Sequence, residues 1–186
     1  AKLMAAYLGF QFIDAADWIK FNFDGTVDQE SSYEELRSRI TPGVGAVIPG
    51  FYGRLPDGHI RTFTRGGSDI TGALAAAALD AEVYENWTDV SGILMADPRI
   101  VDHPQAIPEV TYDELRELSY SGAQVLHEGT IFPVREKNIP VNIRNTNAPE
   151  DPGTMIQESF DTDSDPHRFI TGIPGRKDFT IISLSK

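Results

Sequence analysis

Apolar positions along the chain follow two periods. Leu3, Met4, Tyr7 and Leu8 recur at helical spacing and stop at Gly9, which predicts a short amphipathic helix closed by a glycine C-cap. Phe10 to Ile13 reads as a strand and Ala15 to Phe21 as a helical or turn segment. A polar, turn-rich stretch follows from Phe23 to Ser32, then a helix over Tyr33 to Arg39 capped by Ser31 or Ser32. Val44 to Ile48 is a small apolar strand. The turn Leu55-Pro56-Asp57-Gly58-His59, followed by the run Ile60 to Thr64, predicts a hairpin-like flap over residues 53–62.

The clearest unit comes next. Strand 60–64 meets Gly66-Gly67, then the Ala-rich run Ile70 to Leu79, which favours helix, then a strand from Glu82 to Trp87. Strand, glycine turn, helix and strand together predict a βαβ unit and hence a parallel sheet. Alternation continues with a helix at 111–119, a helical segment at 121–126, a helix at 130–137, a strand from Pro140 to Arg144 and a short strand from Gly153 to Gln157. The pattern then changes. Glu158 to His167 is acidic and poor in apolar residues, as a linker is, and two short β-like runs, Phe169 to Ile173 and Phe179 to Leu184, flank a Pro-Gly turn. So short an end cannot bury a core of its own and reads as the first piece of a second domain. The expected organisation is a domain over 1–157, a linker over 158–168 and a domain start over 169–186, with a first helix whose beginning lies outside this sequence.

Composition narrows the partners. Of 186 residues, 40% are hydrophobic and 24% charged, an ordinary globular balance. The net charge of −12 argues against a nucleic-acid binder or an anionic-membrane binder, since both need a positive face. It leaves room for a phosphorylated ligand, which a few arginines, helix N-termini and a divalent cation can hold locally. No cysteine is present, so disulfides, thiolate metal sites and cysteine nucleophiles are excluded, and a reducing cytoplasm fits. No apolar run is long enough for a membrane helix. His59, His103, His127 and His167 are dispersed without ligand spacing, and there is no nucleophile elbow and no P-loop.

Three places could carry chemistry. In Arg65-Gly66-Gly67-Ser68-Asp69, two glycines let the backbone turn tightly and approach a ligand. Ser68 or Asp69 sits where a helix starts, beside free N–H groups. Arg65 offers a fork to a carboxylate, and Asp69 would pair with an ammonium group, so the motif suits a zwitterionic amino acid. The plainer reading is a capped helix after a glycine turn with Arg65 on the surface. Trp87-Thr88-Asp89-Val90-Ser91-Gly92 ends a strand and is followed by Asp97-Pro98-Arg99; Thr88 and Asp89 could bond a nucleotide and Arg99 could reach its phosphates, or the segment is a polar strand exit. Asn145-Thr146-Asn147 reads first as a turn.

In this order, FTRGGSD at 63–69, ENWTDVSGILMADPR at 85–99, GAQVLHEGT at 122–130 and NIPVNIRNTNAPEDPGTMI at 138–156 closely resemble aspartokinases of the amino acid kinase superfamily. The tail, FITGIPGRKDFTIISL, is similar to the opening of the ACT regulatory region that follows such a kinase domain. Acetylglutamate and uridylate kinases share the fold, but R-G-G-S-D is the aspartokinase form. The resemblance implies an α/β fold, a three-layer α/β/α sandwich with a mainly parallel sheet of the carbamate kinase-like kind, with its N-terminal part missing. It implies transfer of the ATP γ-phosphate to the β-carboxylate of L-aspartate, with Mg²⁺, giving 4-phospho-L-aspartate at the head of lysine, threonine and methionine synthesis. By position, Phe51, Arg65, Ser68 and Asp69 fall in the aspartate site, and Thr88, Asp89, Leu94, Arg99 and Gln124 in the nucleotide site; no residue is assigned to a metal. A homo-oligomer in the cytoplasm with a lysine or threonine effector is expected in the parent protein.

The sequence also departs from that family. The N-terminal K-F-G-G-[ST]-S segment with its phosphate-holding lysine is absent, as is the glutamate ahead of the first helix. Gln124 stands where many members have lysine, and Leu94 and Met95 stand where tyrosine and threonine are common. Losing one preorganised charge costs on the order of 3–4 kcal/mol at the transition state. These 186 residues alone are therefore expected not to turn over. The alternative is a non-catalytic half-kinase module that binds nucleotide or assembles with a separate piece.

Overall fold

The computed structural model describes residues 1–120, 128–160 and 170–173. They form two compact units: residues 1–86 with 127–141, and residues 87–126 with 142–186. The chain is α/β.

In the first unit, α1 (Lys2–Leu8) ends at Gly9, whose left-handed backbone (φ 68°) turns its N–H back to Ala5 O. β1 (Gln11–Phe12) pairs in parallel with β2 (Ala46–Val47). Between them lie α2 (Ala15–Trp18), capped by the Asp14 carboxylate, and α3 (Gln29–Arg39). α3 begins four residues ahead of the expected Tyr33. Its cap is Asp28, which accepts from Ser31 N–H and from the Ser31 hydroxyl, whereas Ser32 is buried within the first turn. Trp18, Ile19, Leu36, Leu74 and Phe21 form the centre of this unit's core.

The expected flap is present: β3 (Tyr52–Arg54) and β4 (Ile60–Thr62) pair antiparallel around the Pro56–His59 turn. α4 (Gly67–Ala78) packs its small side chains against α3 and against α6 (Glu128–Glu136). Ala73, Ala76, Ala77 and Ala78 are buried, and small residues let the helices approach closely.

β5 (Tyr84–Thr88) follows α4 but does not share a sheet with β4. The βαβ unit inferred from the sequence is therefore wrong. β4 is only three residues long and mostly exposed, so it serves the hairpin and could not fill the centre of a parallel sheet. β5 belongs instead to a four-stranded sheet of order β5-β9-β10-β8, with β8 at Glu109–Thr111, β9 at Val141–Asn145 and β10 at Thr154–Gln157. β8 and β10 are parallel. β5 and β9 run the same way, since Tyr84 N–H bonds Pro140 O at one end and Thr146 N–H bonds Thr88 O at the other. The described strands thus form one four-stranded and three two-stranded sheets, and the pairings given for the four-stranded sheet are parallel, as expected.

The second unit adds the antiparallel pair β6 (Ile93–Leu94) and β7 (Ala106–Ile107), and α5 (Tyr112–Tyr120). Ile107, Val110, Leu115, Leu118 and Ile156 are buried there. Gly153, at φ 75°, passes so close to β9 that a Cβ would lie 1.9 Å from Ile143 O, so only glycine fits. The helical segment expected at 121–126 and most of the expected linker and second domain lie outside the described residues. No described helix is long and apolar enough to cross a membrane.

Candidate functional site

In the first unit the site grows from the start of α4. The helix begins at Gly67, three residues before the expected Ile70, and its cap is Gly66 in the left-handed conformation (φ 61°) with no capping side chain. Ser68 and Asp69 therefore lie inside the first turn, and neither caps it. Asp69 sits where a negative charge is favoured by the helix dipole.

Gly50 and Phe51 press against this turn. A Cβ on Gly67 would meet Phe51 Cα at 2.7 Å and Phe63 Cβ at 2.9 Å, and one on Gly50 would meet Ser68 Cα at 2.9 Å. The diglycine is thus needed for close packing of two backbones as well as for the turn. Phe51 has a left-handed backbone (φ 72°), unusual for a bulky residue, and is tied down at both ends. Its N–H faces the Thr71 hydroxyl at 3.1 Å and Gly67 O at 3.3 Å, the hydroxyl itself donates to Gly67 O at 2.7 Å, and Phe63 N–H donates to Phe51 O at 2.9 Å. The Phe51 ring is half exposed and edge-on to Tyr52, 5.4 Å between centroids. The Tyr52 hydroxyl donates to Asp14, and burial, with that bond, pushes its pKa up to about 12.

Arg65 and Ser68 are exposed, and neither side chain bonds a described residue. Asp69 is half-buried and held: Asn86 Nδ2 donates to its Oδ1 at 3.1 Å. The same amide nitrogen lies 3.1 Å from the Tyr84 hydroxyl, which donates to Asp69 O at 3.1 Å. Burial of Tyr84 raises its pKa, so the hydroxyl keeps its proton. Gly72 makes room for that ring, because a Cβ there would meet Tyr84 at 2.8 Å.

In the second unit Thr88 closes β5, as the sequence suggested. Its carbonyl accepts from both the N–H and the hydroxyl of Thr146, at 2.8 and 2.9 Å, and its own hydroxyl lies 3.2 Å from the exposed Asp89 carboxylate. The Arg144 guanidinium stands 4.8 Å over the Trp87 ring and donates to Pro149 O. Ser91 donates to Asp151 and accepts from Asn145, whose Oδ1 also closes a turn onto Asn147 N–H, the turn read from the sequence. Leu94 is half-buried on β6 opposite Ala106. Arg99 is 76% exposed and clasped by Asp97 through Nε and an Nη2 contact of 2.6 Å. That hydrogen bond raises the guanidinium pKa. Gln124 lies outside the described residues. Among the described residues no group of three or more His, Cys, Asp or Glu side chains could hold a metal.

Sequence reasoning missed Asn86, Tyr84, Arg144 and the Ser91–Asp151 pair. A signal existed for the first two. Residues 84, 86 and 88 alternate on a strand, so they share a face with a residue already singled out. Ser91 and Asp151 are sixty positions apart and carry no such signal.

Residues 1–145 match the amino acid kinase family. The chain is 38% identical over 195 aligned residues to aspartokinase 3 of Bacillus subtilis, covering 100% of this chain and 42% of that protein. It is similar to a solved aspartate kinase of Clostridium acetobutylicum (TM-score 0.83, 52% identity, 92% of this chain and 39% of that one). It is also similar to E. coli aspartokinase III solved with aspartate and ADP (TM-score 0.77, 31% identity, 86% and 37%). The chain therefore spans about two fifths of the length of these relatives.

Proposed function

Because the chain belongs to the amino acid kinase family, we propose that it forms part of an aspartokinase, in which the β-carboxylate of L-aspartate attacks the γ-phosphorus of ATP. The bond to the leaving ADP breaks and 4-phospho-L-aspartate forms. The observation that carries this reading is the first turn of α4. There an unpartnered Arg65 and a fixed Asp69 carboxylate flank a glycine cap whose neighbouring N–H groups have no capping side chain. Arg65 and the Ser68 hydroxyl would take the α-carboxylate, Asp69 the ammonium group, and Phe51 the flank of the carbon chain. The β-carboxylate is then left for chemistry. The E. coli relative solved with aspartate and ADP supports the choice of substrate pair.

For the nucleotide, Thr88, Asp89, Leu94, Arg99 and Gln124 are the proposed contacts. Phosphoryl transfer asks mainly for positioning and charge neutralisation, so no nucleophilic side chain is needed. Mg²⁺ would neutralise phosphate charge when bound. A homo-oligomer, a cytoplasmic location and a lysine or threonine effector acting through an ACT region belong to the same proposal.

The test is ADP release by the full-length protein, measured in a coupled assay with L-aspartate, N-acetylglutamate and UMP in turn. Turnover with aspartate alone is expected, and Arg65→Ala should raise the aspartate KM roughly 30-fold or more while changing the ATP KM little. Turnover with N-acetylglutamate or UMP and none with aspartate would overturn the reading.

A further inference from the structure

Asp69 can pair with an ammonium group only if its carboxylate is aimed and still carries its full charge. A carboxylate can be aimed by a cation, which cancels its charge, or by a neutral donor, which does not. The first turn of α4 uses the second means. Asn86 Nδ2 donates to Asp69 Oδ1 at 3.1 Å, and an amide brings no net charge. Asn86 is in turn fixed by its place on β5 and by the Tyr84 hydroxyl at 3.1 Å. Tyr84 closes the ring by donating to the backbone carbonyl of Asp69 itself, at 3.1 Å. The side chain and the main chain of Asp69 are therefore both anchored by one strand, through two neutral groups two residues apart.

We propose that Asn86 is the positioning residue for the substrate-ammonium carboxylate, holding Asp69 in one orientation at full charge with Tyr84 as its brace. This rests on the aspartokinase reading above, since the ammonium belongs to the aspartate substrate. Gly72 is part of the same device: any side chain there would collide with the Tyr84 ring and displace the brace. Asn86 does not itself touch substrate in this scheme; it acts through Asp69.

The experiment uses the full-length protein with Asn86→Ala and Asn86→Asp. Asn86→Ala removes the donor, and the aspartate KM should rise about tenfold with the ATP KM unchanged within roughly twofold. Asn86→Asp keeps the size but sets a second carboxylate against the first, and like charges at this distance oppose each other. Its aspartate KM should rise further than that of Asn86→Ala. A merely structural role gives the opposite order, because the isosteric variant would then be the milder one. A role confined to folding would also move the ATP KM and the melting temperature together with the aspartate KM. An unchanged aspartate KM in Asn86→Ala, or the reversed order, overturns the proposal while leaving the aspartokinase reading intact. Absence of aspartate-dependent ADP release from the wild-type protein overturns that reading, and this proposal with it.

Discussion

Asp69 and Asp97 make an instructive pair. Each is an aspartate close to an arginine in sequence, and each stands in a segment that resembles a substrate or nucleotide motif. Asp69 is aimed by an amide and leaves Arg65 unclasped. Asp97, with its side chain only 14% exposed, grips Arg99 through two oxygens and its charge is matched on the spot. The first arrangement keeps two opposite charges separately available, as a zwitterion requires. The second presents a nearly neutral pair whose exposed member is the cation. The same two residue types thus give different electrostatics, and the difference lies in what holds the carboxylate.

The largest expected effect breaks the first arrangement. Asp69→Asn keeps the shape and removes the charge, and kcat/KM for aspartate in the full-length protein should fall by about 10²–10³, the range for loss of one preorganised charged contact. A fall of less than fivefold in steady-state assays would equate Asp69 with any surface acid. Next in size is the platform beneath it. Thr71 is buried, its hydroxyl bonding Phe51 N–H and Gly67 O. Thr71→Val should cost about 1–3 kcal/mol by leaving that N–H poorly paired, measured by denaturant unfolding; an unchanged midpoint would show that the flap does not depend on it. The smallest effect tests the second arrangement. Asp97→Asn frees the exposed Arg99 cation, so the ATP KM should fall about threefold at low salt and return toward the wild-type value as salt screens the charge. A rise at low salt would mean that Asp97 aims Arg99 as Asn86 aims Asp69, and the contrast would vanish.

Local signals in the sequence were reliable where the physics is local. The Gly9 cap, the flap around Pro56 to His59, β9 and β10 all follow from turn chemistry and alternation within a few residues. The glycine turn at Gly66 and the helix that follows it are legible for the same reason, although the helix starts at Gly67 and neither Ser68 nor Asp69 caps it. Partner choice was not. Nothing in Ile60 to Thr64 reveals that β4 pairs with β3 and stays out of the sheet that β5 joins, because an apolar run shows which face is buried but not against what. The cap of α3 was misplaced because Ser31 and Ser32 look like caps, whereas Asp28 binds Ser31 from outside the helix. Asn86 lies seventeen positions from the carboxylate it holds, and only the fold brings them together.

Phe51 has a consequence of its own. An aromatic residue forced into a left-handed backbone stores on the order of 1–3 kcal/mol that a glycine would not. Glycine there would make the hairpin sturdier yet strip the ring set against Tyr52. On the proposed aspartate site, durability and substrate binding would therefore pull in opposite directions at this one position, and selection for heat tolerance alone would drift away from that site.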